Sequence, residues 1–181
     1  MKKRFKKNEN ILRELQDNMK HNDILIIGIP EGEEEEQWIE SLFEKLMMEN
    51  FPNLMTEKVT QIQETQRLPI KRNPKRPTSR HIISKMAKFQ DKERILKEAR
   101  EKQEVIYKGA PIRLAADFSM QTFQARREWQ EIFQVMKNRG LQPSLLYPTR
   151  LSLKMEDQIR SFQTKEASKN IPPPNQLCKR C

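Results

Sequence analysis

The segment VTQIQETQRLPIKRNPKRPTSRHIISKMA, residues 59–87, contains two predicted strands in succession with no helix between them. The first, residues 59–67, is rich in β-forming residues and glutamine, and the second, residues 80–87, is an apolar extended run. The basic stretch that joins them is kept out of helix and held extended by its prolines. These prolines are Pro69, Pro74 and Pro77.

The elements around this segment complete a recognisable order. Residues 23–32, DILIIGIPEG, form a buried strand, and a helix with apolar residues at helical spacing follows and ends at Pro52. Residues 91–102 predict a second helix, and residues 105–117 a hairpin that turns at Gly109. The order predicts an α+β fold of the split βαβ, ferredoxin-like type, with two helices on one face of an antiparallel sheet. RNA-recognition motifs share this plan and bind on the free face.

Two further units flank this domain. Residues 5–20 predict a short helix with Ile11, Leu15 and Met19 on one side. After residue 118 we expect one long helix, residues 119–139, which begins near Ser119 and ends at Gly140.

The last part of the second unit is expected to be short and mixed. Residues 143–153 predict two extended pieces hinged at Pro148. A further helix is expected near Glu156, with Ile159 and Phe162 on one face. The run NIPPPNQ then ends regular structure.

The charge balance predicts a polyanionic partner. The chain of 181 residues has a formal net charge of +10, and the excess is uneven along it. The alternative is a basic protein with scattered, solvated lysines. No apolar run is long enough to span a membrane and no secretory signal is present, so we expect an intracellular, soluble protein without a membrane partner.

The basic stretch has seven cations within residues 67–85 and no acid, which leaves a targeting signal, a linker or a phosphate-binding surface open. Its position between two strands of one domain excludes the linker, whereas nuclear import stays compatible with the same charges. We therefore predict that these seven residues bind phosphate. They are Arg67, Lys71, Arg72, Lys75, Arg76, Arg80 and Lys85.

Four motifs, NFPNL, KGAPIRLAADFS, QARREWQEIF and LYPTRLSL, resemble the first open reading frame protein of long interspersed element (LINE) retrotransposons. The resemblance covers residues 21 to about 165, with the motifs in the family's order. It implies a coiled coil, an RNA-recognition motif and a C-terminal nucleic-acid-binding domain. It also implies a protein that binds single-stranded RNA and DNA, acts as a nucleic-acid chaperone and is not an enzyme. Such a protein packages RNA into ribonucleoprotein particles, which are expected mainly in the cytoplasm.

The resemblance divides the chain into four expected parts. Residues 1–20 are the short helical remnant of the coiled coil, so the family's homotrimer is left open here. Residues 21–117 are the RNA-recognition-motif domain, residues 118–165 an incomplete C-terminal domain, and residues 166–181 a disordered tail. That tail contains Cys178 and Cys181, and two cysteines without further ligands cannot complete a zinc site.

Individual contacts are also implied by the resemblance. The matching positions are Lys71, Lys75, Arg76, Lys85, Arg100, Arg126 and Tyr147. Leu25 stands at a basic position of the family. On the third strand we place Ile82 and Ser84 where ordinary RNA-recognition motifs have base-stacking aromatic residues, which makes charge the expected source of affinity.

Two other classes of function are weighed against this one. A protein-interaction module would bind nucleic acid weakly or not at all, and would use exposed apolar surface beyond Phe162. A nuclease would need converging carboxylates, yet Asp91 and Asp117 are isolated in the sequence, as are His21 and His81. We therefore expect no catalytic residue, no metal and no cofactor.

Overall fold

The computed structural model describes residues 2–33, 38–57, 61–102, 104–155 and 158–162. The chain divides into two compact units, with the boundary between Phe118 and Ser119. The first unit contains a five-stranded antiparallel sheet and the second a three-stranded one. The α+β class and the RNA-recognition-motif-like domain followed by a small C-terminal domain are thus confirmed.

The first unit has the predicted order of strands and helices along the chain. The strands are β1 (Asp23–Ile27), β2 (Ile62–Leu68), β3 (His81–Met86), β4 (Val105–Tyr107) and β5 (Ala110–Ala116). The sheet runs β2-β3-β1-β5-β4, so that the first strand lies at the centre between β3 and β5. The helices are α1 (Lys2–Met19), α2 (Ile39–Asn50), α3 (Pro52–Thr56) and α4 (Phe89–Glu101).

The core of this unit lies between one face of the sheet and helices α2 and α4. β1 contributes Ile24 and Ile26, which are fully buried, and α2 contributes a similar buried stripe. Burial of such side chains stabilises the fold by about 1.5–3 kcal/mol each. Alternate residues of each strand point to the opposite side, which we call the outer face.

The hairpin at Gly109 forms as expected. Lys108 and Gly109 join β4 to β5 with positive φ angles of 48° and 78°. Two positive φ angles fit the primed turns whose twist matches that of paired strands, and glycine adopts them without steric cost. β4 and β5 then pair in register from Tyr107–Ala110 to Val105–Ile112.

Three contacts hold the residues that follow α1 to the rest of the first unit. The Lys20 ammonium donates to Asp117 at 2.9 Å, and the Lys92 ammonium donates to the His21 carbonyl at 2.6 Å. The His21 ring stacks on Phe89 with 4.0 Å between ring centroids. Burial lowers the pKa of Lys92, while nearby carboxylates oppose that effect.

The described part of the second unit has two helices, and the later one packs against its sheet. Trp129, Met136, Leu151 and Leu153 form its buried core. Gly140, at φ 74°, ends the second helix in a Schellman motif, in which the Leu141 amide donates to the Met136 carbonyl. The elements are α5 (Met120–Arg127), α6 (Gln130–Asn138), β6 (Gln142–Leu146), β7 (Arg150–Met155) and β8 (Gln158–Phe162).

The prediction of one helix over residues 119–139 was wrong in its middle. The Ser119 hydroxyl caps the start as expected, accepting from the Thr122 amide. The helix then tightens at Trp129, whose amide donates to Arg126 three residues back instead of four. The tightening separates α5 from α6 where the Trp129 ring enters the core.

The prediction of a helix near Glu156 was also wrong. Residues 158–162 form strand β8, which pairs with β7 from Leu151–Phe162 to Met155–Gln158. A spacing of three puts two residues on one side of a helix but on opposite sides of a strand. Ile159 is accordingly 74% exposed, whereas Phe162 packs against the core. The expected tail, residues 166–181, and both cysteines lie outside the described residues.

Candidate nucleic-acid interface

The loop between β2 and β3 carries four exposed cations, which we call the loop tip: Lys71, Arg72, Lys75 and Arg76. A turn that begins at Asn73 shapes it, because the Asn73 side chain accepts from the Lys75 amide and its carbonyl accepts from the Arg76 amide. In the described parts of the chain no carboxylate forms an ion pair with the loop tip. These charges therefore face solvent, where phosphate can reach them.

The two arginines at the ends of the same loop are held differently, and we call Arg67 and Arg80 the loop base. Arg67 is only 5% exposed, and its guanidinium donates to the carbonyls of Ile29, Pro30 and Arg80. The guanidinium of Arg80 bonds the carboxylate of Glu31, with its closest contact at 2.8 Å. Sequence reasoning placed all six cations together as phosphate ligands, and the structure divides them into tip and base.

Two glutamates that precede the second helix, Glu31 and Glu33, form ion pairs that sequence reasoning did not predict. Glu31 pairs with Arg80, and this hydrogen bond lowers the pKa of Glu31 to about 2. Glu33 accepts from Lys108 at 2.6 Å and from the Tyr107 hydroxyl at 3.2 Å. The bond from Lys108 is the largest cause that lowers the pKa of Glu33. The sequence signal for these pairs was the presence of acids after a strand that was predicted to lie in the same domain as the basic loop.

The third strand presents different residues to the outer face from those that we expected. Ile82 and Ser84 are fully buried on the helix side, so neither occupies a base-stacking position. The alternation of the strand puts His81, Ile83 and Lys85 on the outer face instead. This outer face of the strand has no Phe, Tyr or Trp, and the ring that it offers is the imidazole of His81.

Lys85 lies among carboxylates on that outer face. It pairs in register with Asp23 on β1 and with Glu64 on β2. Burial raises the pKa of Asp23, and the nearby Lys85 charge opposes this. One carboxylate oxygen of Asp23 is buried without a hydrogen-bond partner among the described residues. The positive potential at Lys85 is thus weaker than at the loop tip.

Arg100 lies away from these residues. It sits in the last turn of α4, in the helical layer that covers the opposite side of the sheet from Lys85. Its Nε donates to the Leu96 carbonyl at 3.0 Å, while the side chain is exposed. The structure therefore does not place Arg100 on the face that carries Lys85.

In the second unit, Arg126 holds the turn that carries Tyr147. Its guanidinium donates to the carbonyls of Leu145 at 3.0 Å, Leu146 at 3.4 Å and Pro148 at 3.2 Å. Tyr147, at the tip of this turn between β6 and β7, is 50% exposed. Both residues predicted as contacts thus belong to one local structure, in which Arg126 supports the backbone and Tyr147 presents a ring.

The described residues contain no cluster of three or more histidine, cysteine or acidic side chains arranged to hold a metal ion. In the same residues, no helix combines the length and apolar character that crossing a bilayer requires.

Comparison with known proteins identifies both units. Residues 21–117 match the L1 transposable element RBD-like domain, and residues 120–171 match the L1 transposable element dsRBD-like domain. Both descriptions are of binding domains and not of catalytic ones, in agreement with the expectation that the chain is not an enzyme.

Relatives in mouse and human agree with this match. The mouse LINE-1 retrotransposable element ORF1 protein is 41% identical over 152 residues, which cover 83% of this chain and 43% of that protein. LINE-1 type transposase domain-containing protein 1 is 36% identical in mouse, over 83% of this chain and 19% of that protein. The human protein of that name is 36% identical over 77% and 16% respectively.

The chain spans less than half the length of these relatives. The RBD-like match covers more than half of the chain itself. The chain therefore belongs to the L1 transposable element RBD-like family, and it is a nucleic-acid-binding protein of the LINE type.

Proposed function

We propose that the chain binds single-stranded RNA and DNA through charge, with the loop tip as the main source of affinity. The observation that supports this most is the exposure of all four tip cations on a loop whose base is fixed by hydrogen bonds. Neutralising phosphates releases condensed counterions, which drives binding without reading sequence. The preference for particular bases should therefore be weak.

The outer face of the sheet supports the same proposal. Ordinary RNA-recognition motifs add about 1–3 kcal/mol for each base that stacks on an aromatic ring. Here the outer face of β3 offers His81, Ile83 and Lys85, and Lys85 faces Asp23 and Glu64. Stacking on this strand is thus limited to an imidazole, which leaves phosphate contacts as the larger contribution.

The second unit is proposed to add a base contact. Tyr147 is half exposed on a turn that Arg126 holds by three hydrogen bonds, and exposed Arg127 lies on the same helix as Arg126. A fixed aromatic ring beside cations suits a base that is splayed out of a single strand.

Wider roles follow from the family and are part of the proposal. Relatives include a protein named for the first open reading frame of LINE-1. We propose that this chain, like the family it resembles, packages RNA into ribonucleoprotein particles and acts as a nucleic-acid chaperone. Such particles would be cytoplasmic, and the basic loop is also compatible with entry into the nucleus.

The proposal is tested by titrating the chain with a 20-nucleotide single-stranded RNA and the matching DNA. Lys75→Ala combined with Arg76→Ala should weaken binding to both by about tenfold or more. The matched control is Arg94→Ala with Lys97→Ala, which removes the same charge from α4, where both cations lie near glutamates. Equal effects of the two double variants would show that only net charge matters, and no effect of the first would overturn the proposal.

A second candidate function is self-association through α1. Phe5, Leu12 and Met19 are exposed at spacings of seven, with exposed Leu15 at the position between. A repeat of this kind is the seam of a coiled coil, which fits further copies of this chain and the homotrimer of the family. Sedimentation with and without single-stranded RNA tests this. A monomer under both conditions, or a self-association that Leu12→Asn with Leu15→Asn leaves unchanged, would contradict it.

A further inference from the structure

Glu31 connects the loop before α2 to both ends of the basic loop. Its Oε1 accepts from the Arg80 backbone amide at 2.6 Å. The Nε of Arg80 donates to both oxygens of Glu31 at 3.2 Å, and its Nη2 donates to Oε2 at 2.8 Å. The remaining nitrogen of that guanidinium donates to the Ile70 carbonyl at 2.8 Å and the Pro69 carbonyl at 3.3 Å. One planar fork thus links the start of the loop, its end and Glu31.

Arg67 adds hydrogen bonds between the loop base and the residues before α2. It donates to the Arg80 carbonyl at 2.8 Å, to the Ile29 carbonyl at 3.2 Å and to the Pro30 carbonyl. Residues 29–31 are therefore attached to both arginines of the loop base. The loop tip projects from a closed ring of hydrogen bonds, although its own residues are exposed.

We propose that Glu31 is a positioning residue for nucleic-acid binding, an acid whose presence raises the affinity for a polyanion. This rests on the proposed role of the loop tip. Glu31 acts through Arg80, which holds Ile70 next to the first tip cation and leaves the tip shaped before any ligand arrives. A binding surface that is already ordered loses less conformational freedom when it binds.

Simple electrostatics predicts the opposite effect of Glu31 on the affinity for nucleic acid. A carboxylate near a phosphate site repels it, so its removal should strengthen binding. Glu31 is, however, neutralised by the bidentate contact with Arg80, and the charge of such a pair is small at a distance. The hydrogen bond from Arg80 keeps the pKa of Glu31 near 2, so the pair is charged throughout the neutral range. The positioning effect should therefore exceed the repulsion.

The experiment compares two substitutions of Glu31 with a control acid in the full chain. Glu31→Gln removes the charge, and Glu31→Asp keeps the charge but shortens the side chain by one methylene, so that it cannot reach both Arg80 groups. Glu64→Gln is the matched control, because Glu64 is an exposed acid beside Lys85 with no such connection to the loop. Each variant is titrated with the 20-nucleotide RNA at several salt concentrations, well below its unfolding temperature.

We expect both Glu31 variants to bind about fivefold more weakly, with a salt slope shallower by about 0.7 because one phosphate contact is lost. Glu64→Gln should bind equally or more tightly. A purely structural role for Glu31 would lower the unfolding temperature but leave the salt slope of the folded chain unchanged, and would overturn the proposal. Tighter binding by Glu31→Gln would overturn it as well.

The double variant Lys75→Ala with Arg76→Ala separates this inference from the function on which it rests. If that variant binds normally, the loop tip is not the binding surface and the proposed function fails. If it binds weakly while the Glu31 variants bind at least as well as the unchanged chain, the function stands and the positioning role of Glu31 is wrong.

Discussion

The tip and the base of the basic loop both consist of cations, but these cations make different contacts. Lys71, Arg72, Lys75 and Arg76 at the tip are exposed. Arg67 and Arg80 at the base donate to backbone carbonyls and to Glu31. A run of cations in a sequence can thus contain both exposed charges and residues whose hydrogen bonds hold the loop that carries those charges.

The chemistry of arginine explains the division. A guanidinium offers several donors in a fixed plane and can satisfy several carbonyls at once, whereas an ammonium is a compact charge on a flexible stem. Arg126 in the second unit repeats the arrangement, because it binds three carbonyls around Tyr147. In both places an arginine thus holds the backbone of a segment that carries exposed side chains.

The largest effect is expected when the whole tip is removed. Replacing its four cations by alanine should weaken binding of single-stranded RNA by about 100-fold or more at low salt. Unfolding stability should change by no more than about 0.5 kcal/mol, since the side chains are exposed. Filter binding and denaturant unfolding measure the two quantities. A tip variant that loses stability instead of affinity would remove the distinction between tip and base.

The base should show the reverse behaviour. Arg67→Ala leaves three carbonyls without their donor and should lower the free energy of unfolding by about 2–4 kcal/mol. Denaturant unfolding of this variant beside Arg76→Ala, which should unfold like the unchanged chain, tests the comparison. If the two variants unfold alike, Arg67 contributes nothing structural.

A smaller effect is expected at the turn of Tyr147. Tyr147→Ala should weaken RNA binding by about 1 kcal/mol if the ring stacks on one base. Arg126→Lys keeps the charge but cannot serve three carbonyls, so it should have a similar effect. The double variant should then be no weaker than either single variant, because both act through one ring. Fully additive effects in RNA titrations would mean that Arg126 contacts the nucleic acid itself.

The last prediction concerns the dependence of stability on pH. The pKa of Glu31 is lowered from its ordinary value near 4.5 to about 2, so the folded state favours the charged form. The stability from the Glu31–Arg80 pair is therefore fully present above pH 4.5 and is lost as the pH falls toward 2. Glu31→Gln should flatten this part of a plot of unfolding stability against pH. If this variant loses stability at low pH as the unchanged chain does, other carboxylates cause that loss.

Much of the fold follows from the sequence because its signals are local. The alternation of apolar residues, Gly109 and the Ser119 cap each act within a few residues of the chain. The errors arose where tertiary contacts decide. Ile159 and Phe162 fit one side of a helix as well as two sides of a strand, and only pairing with β7 selects the strand.

The candidate site was predictable in position but not in detail. The sequence located the basic loop between two strands, yet nothing local distinguishes Arg67 from Arg72. The difference depends on residues 29–31, which are distant in sequence and adjacent to the loop in the fold. The face of β3 was misassigned for a related reason, since a shift of one residue exchanges the two sides of a strand.

The salt dependence of RNA binding tests the central claim most directly. For about five neutralised phosphates the slope of log K against log salt should lie near −3.5, at about −0.7 for each phosphate. Replacing the four tip cations by alanine should bring that slope to about −0.7, whereas removing Arg94 and Lys97 should leave it near −3.5. A tip variant that keeps the full slope would contradict the account, because its phosphate contacts would then lie elsewhere on the chain.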